Sequence, residues 1–163
     1  MRPAAFVLCL APLAVSALPS AADTLPSRKP GLWESTIAGA ALPKGTKVRQ
    51  CIDEKTDKLA ESTTAPGATC SKREIRKVEA GYEIETVCTV GGITAEGKGL
   101  ISGDFDTSVK LAMTTTIKGI PGMPKPLTQE TTITTTRLGD CGAGQNPGDI
   151  VLPGGKVMHM PGK

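Results

Sequence analysis

Apolar and polar residues alternate along most of this chain, and Gly, Pro or Asn interrupts the alternation at short intervals. In an extended strand, alternation puts every second side chain on one face. A chain written this way is constrained to antiparallel β structure with one packed and one solvated face. The runs predict seven strands: Leu32 to Ala38, Thr46 to Ile52, Cys70 to Val78, Tyr82 to Val90, Ile93 to Ile101, Asp106 to Lys118 and Leu127 to Leu138. The sixth is the clearest, with Val109, Leu111, Met113 and Ile117 on one face and Ser108, Lys110, Thr114 and Thr116 on the other. The seventh is dominated by Thr and only weakly apolar, which suits an edge. Between the second and third runs, Asp53 to Ser62 reads as one short helix with Asp53 as its N-cap. Mostly up-and-down strands suggest an all-β, antiparallel sheet that curls into a half-barrel or small barrel, with a two-sheet sandwich as the rival.

The N-terminus reads differently. Arg2 is followed by an apolar stretch from Ala4 to Val15 and a small-residue site at Ser20-Ala21-Ala22. That is the layout of a cleaved secretory signal, too short to span a membrane. The expected organisation is a signal peptide over 1–22, a β domain over 23–141 and a mobile Gly/Pro-rich tail over 142–163, with Ile150 to Leu152 touching the body. The expected location is periplasmic, with no transmembrane segment after signal cleavage.

Export changes how the cysteines are read. Cys9 leaves with the leader; Cys51, Cys70, Cys88 and Cys141 remain. None of the four forms a CxxC-like pair, which argues against a zinc site and for two disulfides. The favoured pairing is Cys51 with Cys70 and Cys88 with Cys141. The rival joins Cys70 to Cys88 across a hairpin and leaves Cys51 for Cys141. Such bonds matter here because only Trp33, Tyr82 and Phe105 supply aromatic area after cleavage, so the interior is thin.

Net charge is +3 for the whole chain, which gives no reason to expect nucleic acid as a partner. The densest basic stretch, Lys72, Arg73, Arg76 and Lys77, is interleaved with Glu74 and Glu79 and reads as one solvated strand face. No catalytic constellation stands out, and the chain reads as non-enzymatic with no cofactor. The single histidine, His159, lies in the tail, far from any strand nucleophile it could activate. Glu83 and Glu85 share a strand face, the spacing of a solvated side more than of an acid–base pair. Met158, His159 and Met160 carry soft and borderline donors that suit copper, although adjacent residues cannot easily converge on one ion.

Several segments together resemble a bacterial family of exported proteins known as domain of unknown function 3617. They are RKPGLWE (Arg28 to Glu34), Gln50-Cys51-Ile52 before a short helix, Cys70 opening a strand, Cys88 closing the next, and LGDC (Leu138 to Cys141). The resemblance spans Arg28 to Cys141 and implies an exported, cystine-stabilised β domain with no established activity. Ile52 departs from the family's usual Leu-Thr at that point. Trp33, within the opening motif, is either a core anchor or a stacking wall for a ligand. The expected function is binding of a small apolar ligand or an envelope protein partner on a concave sheet, with Trp33, Leu111, Met113 and Ile117 as the candidate wall. A ligand-free structural or stress-protective envelope component is the alternative.

Overall fold

The computed structural model describes residues 23–39, 45–59, 67–152 and 154–159. Residues 1–22, which hold the expected leader, Met160 and the end of the anticipated helix (60–62) lie outside those residues. Among the described residues nine strands form one antiparallel sheet: β1 Gly31–Gly39, β2 Thr46–Ile52, β3 Thr69–Val78, β4 Gly81–Val90, β5 Ile93–Gly103, β6 Ser108–Lys118, β7 Leu127–Gly139, β8 Ile150–Val151 and β9 Val157–Met158. Their order is β3-β4-β5-β6-β7-β1-β2-β8-β9. Strands β3 to β7 meander, and β7 returns to pair with β1. The chain therefore crosses the sheet between β2 and β3. Among the described residues no helix is long and apolar enough to cross a membrane.

The expected strands lie within two residues of the observed ones, because period-two alternation and Gly-rich turns are local signals. The closure does not follow: among the described residues β3 and β9 remain edges of a single sheet, so these form neither a half-barrel, nor a small barrel, nor a sandwich. The edge of β3 is guarded. Asp23 donates its N–H to the Ile75 carbonyl and accepts the Lys77 N–H on its carboxylate at 2.7 Å. The basic side chains of β3 also discourage pairing with another copy of itself. Period two divides them, so that Lys72 and Arg76 lie on one face while Arg73 and Lys77 lie on the other with Ile75. They do not form a single solvated face.

Strand β7 is central, between β6 and β1. Its threonines meet polar partners there, including the Ser35–Thr135 hydroxyl pair at 2.9 Å, so a Thr-rich strand needs no edge position. The expected helix is a single turn. Asp53 Oδ1 accepts from the N–H groups of Lys55 and Thr56, and the Asp53 carbonyl accepts from Asp57 N–H. Helical nucleation is costly for so short a piece, and the Asp57 side chain is instead drawn to Arg28.

The cystines are Cys51–Cys141 and Cys70–Cys88, so the favoured pairing gives way to its rival. The register explains both. Cys70 lies directly opposite Cys88 in the β3–β4 ladder, followed by a bulge at Ser71. Leu32 of β1 faces Cys51 on one side and Gly139 on the other, so a bridge from the end of β2 to the chain just past β7 spans β1. Where a mobile tail was expected, residues 142–152 and 154–159 form turns and two short strands, with Ile150 and Val151 pairing with β2.

Candidate functional site

The register sorts the sheet into two faces. The packed face carries Ile75, Tyr82, Ile84, Ile101, Leu111, Met113, Ile133, Ser35 and Trp33, and it divides into two unlike ends. At one end Ile84, Ile101, Phe105, Val109 and Leu111 form a buried cluster against which Leu25, Leu59, Ile75, Tyr82, Met113 and Ile133 pack. Tyr82 and Phe105 meet edge to face, with ring centroids 5.9 Å apart. Trp33, 1% exposed, donates its indole N–H to the Lys29 carbonyl at 2.8 Å. The scarce aromatic area is thus concentrated at one end.

A buried ion pair closes the same end. Arg28 is 5% exposed, and its guanidinium lies 5.2 Å from the Trp33 ring centroid. Its Nε and Nη2 both donate to Asp57 Oδ1, at 3.1 and 2.8 Å, and its backbone N–H donates to Asp57 Oδ2 at 2.7 Å. Nη1 reaches the Thr135 hydroxyl at 3.5 Å, which in turn meets Ser35. Asp57 also accepts the Leu59 N–H. The cluster fastens the segment before β1 to the turn after β2 and lays both over the sheet. Each buried side-chain nitrogen and oxygen of the cluster has a partner, which makes it a structural clasp. Sequence reading missed Arg28 and Asp57 as partners because they are 29 residues apart. The available signal was an arginine inside the same short motif as the chain's single tryptophan.

The other end of the packed face is looser. Thr115, Ile117, Gln129, Thr131, Ile37 and Val48 are half-buried and Leu127 is exposed, while Met113, also half-buried, packs at the margin of the core cluster. Gly97 lies within this surface. A Cβ there would sit 2.7 Å from Thr86 Oγ1 and 3.5 Å from Met113 Sδ, so glycine lets two side chains occupy the floor. Of the four candidate wall residues, Trp33 and Leu111 are sealed in the core, Met113 packs half-buried against its margin, and Ile117 lies on the looser part.

The opposite face has a depression of about 700 Å³ over β3, β4 and β5, walled by Glu74, Arg76, Glu83, Glu85 and Lys98. Those charges are used up in mutual pairs. Arg76 holds Glu83, while Lys72 and Lys98 flank Glu85 at 2.5 and 2.9 Å. The hydrogen bonds from Lys72 and Lys98 bring the Glu85 carboxyl down from 4.5 to about 2. Glu83 and Glu85 are therefore members of an ion-pair ladder.

The tail residues lie elsewhere. His159 Nδ1 is 2.9 Å from both oxygens of Asp149, a carboxylate that is almost fully buried. The Asn146 N–H, then His159, hold Asp149 below the usual carboxylate range. Met158 is exposed in β9. Among the described residues no three His, Cys, Asp or Glu side chains gather as a metal site.

Residues 28–141 match the family model described as protein of unknown function, DUF3617. The chain belongs to that family. The DUF3617 match begins at Arg28, the arginine of the clasp, and ends at Cys141, the second half-cystine of the bond across β1. Its span is thus bounded by two long-range contacts of this fold. No curated protein and no solved structure matches the chain.

Proposed function

We propose that this chain is an exported, periplasmic, non-enzymatic binding protein that takes a small apolar or amphiphilic ligand on the looser end of the packed face. The observation that carries the reading is the unequal division of that face. The Arg28–Asp57 clasp and the aromatic residues seal one end, while Ile117, Ile37 and Val48 stay half-buried at the other, with Met113 at the boundary. An apolar surface beside threonine hydroxyls and the Gln129 amide offers both burial and orientation to an amphiphile. Export is supported by the leader-like N-terminus and by two cystines, which persist in oxidising compartments.

The test is a thermal melt of the oxidised protein against fatty acids and neutral apolar metabolites, repeated on Thr115→Trp, which would crowd the surface. A ligand at a hundred times its Kd stabilises by about 2.7 kcal/mol, which raises Tm by about 8 °C. Loss of that rise in Thr115→Trp places the ligand. Absence of any rise across the panel would favour the ligand-free structural role instead.

A further inference from the structure

We propose that the end of the sheet carrying Val90, Met123 and Leu127 docks on the surface of an anionic lipid bilayer. This goes beyond the ligand reading and does not depend on what the packed face binds. Five large apolar side chains are exposed among the described residues, and three of them, Val90 at 43%, Met123 at 44% and Leu127 at 39%, are at this end. The connection from β6 to β7 builds it. Met123 N–H donates to the Ile120 carbonyl at 3.0 Å, with Pro121 and then Gly122 (φ +78°) between them. This matches a type II turn, whose third position needs the positive φ that glycine supplies. Met123 is exposed at the end of this turn, and Ile120 at its start is half-buried.

The neighbouring turn completes the patch. A Cβ on Gly119 would lie 2.7 Å from the Gly92 carbonyl oxygen, so the β6–β7 connection abuts the β4–β5 turn that carries Val90. Leu127 opens β7 opposite Ile117. Two abutting loops thus place Val90, Met123 and Leu127 at the same end of the sheet as the looser half of the packed face.

Backbone and charge favour a bilayer over a protein partner. Pro121, Pro124 and Pro126 have no N–H to strip of water, and the Met123 N–H is already satisfied within the turn. Lys118 and Lys125 bracket the apolar tip, and their long stems let the ammonium groups reach headgroups while the aliphatic residues sink. Lys118 contacts Glu96 at an exposed site, where solvent keeps the pair weak. Lys125 has no ion pair among the described residues. Protein interfaces are anchored chiefly by Trp, Tyr and Arg, and this patch has none of them.

The experiment is co-sedimentation of the full chain as purified with phosphatidylcholine vesicles and with vesicles enriched in phosphatidylglycerol. Partition into the anionic vesicles is expected to exceed that into the neutral ones and to fall with salt. Met123→Asp is expected to lower it by about ten-fold, the cost of forgoing burial of one apolar side chain. Lys125→Glu is expected to reduce binding to the anionic vesicles alone. Trp33 emission, reporting from the opposite end of the sheet, shows that each variant is folded. Val90→Asp is a second variant should Met123→Asp misfold. Failure of the parent to sediment, or folded aspartate variants that sediment like the parent, overturns the proposal. Capture of a protein partner with no affinity for either vesicle overturns it too, and a ligand-induced melting shift can survive any of these results.

Discussion

Replacing Asp57 by Ala should be among the most damaging single changes in this protein. Asp57 accepts four hydrogen bonds, three from Arg28 and one from the Leu59 N–H, and the two charged side chains are only 6% and 4% exposed. Removing it leaves a guanidinium with the Trp33 face and a long contact to Thr135 as its remaining support. Breaking a buried pair from one side costs about 3–5 kcal/mol, because the survivor stays desolvated without a countercharge. For a domain of this size that lowers Tm by about 10–15 °C. Replacing both partners, Arg28→Met with Asp57→Ala, should recover much of the loss, since two apolar groups leave no orphaned charge. The assay is urea unfolding of the oxidised protein followed by fluorescence of Trp33, the sole tryptophan, which lies directly under Arg28. A loss below about 1 kcal/mol for Asp57→Ala, or a double variant no better than the single, would refute the view that the pair is a buried clasp.

The two cystines should contribute unequally. In the chain-entropy account, the 90-residue separation of Cys51–Cys141 is worth about 4.6 kcal/mol, against about 3.2 for the 18 residues between Cys70 and Cys88. Paired Cys→Ser variants compared by urea unfolding should rank in that order, and non-reducing peptide mapping should recover those two bonds. Acid should destabilise the fold. Glu85, held by Lys72 and Lys98, titrates at about 2 in the folded protein, while Asp104 is depressed by the Thr107 hydroxyl and the Thr107 and Ser108 N–H groups. Depressed carboxylates add stability above their unfolded pKa and lose it as pH falls through the folded one. The unfolding free energy should therefore decline from near pH 4.5 downwards, and Glu85→Gln should show a shallower decline. A slope unchanged in Glu85→Gln would contradict the ladder. Leu111→Ala, at a core position of β6, should cost about 2–5 kcal/mol by urea unfolding, whereas Thr116→Ala on the opposite face of the strand should stay within about 0.5.

Strand positions were legible because their causes are local. Alternation in β6 put Val109 and Leu111 on the buried face, and glycine-rich turns bounded the hairpins, with no knowledge of neighbours required. The candidate site was half-legible for the same reason. Met113 and Ile117 share a face with Leu111 by period alone, but how much of each stays open depends on what covers the sheet.

By itself the sequence determined an antiparallel β chain with a thin aromatic supply and four pairable thiols, since composition and period two are written residue by residue. The tertiary structure decided that β7 is central, that Cys51 bonds Cys141 across β1, that β3 and β9 stay open as edges, and that Arg28 is buried against Asp57. Each of these depends on which distant segments become neighbours. Register and burial set that choice between residues 29 to 107 positions apart, where no local pattern reaches.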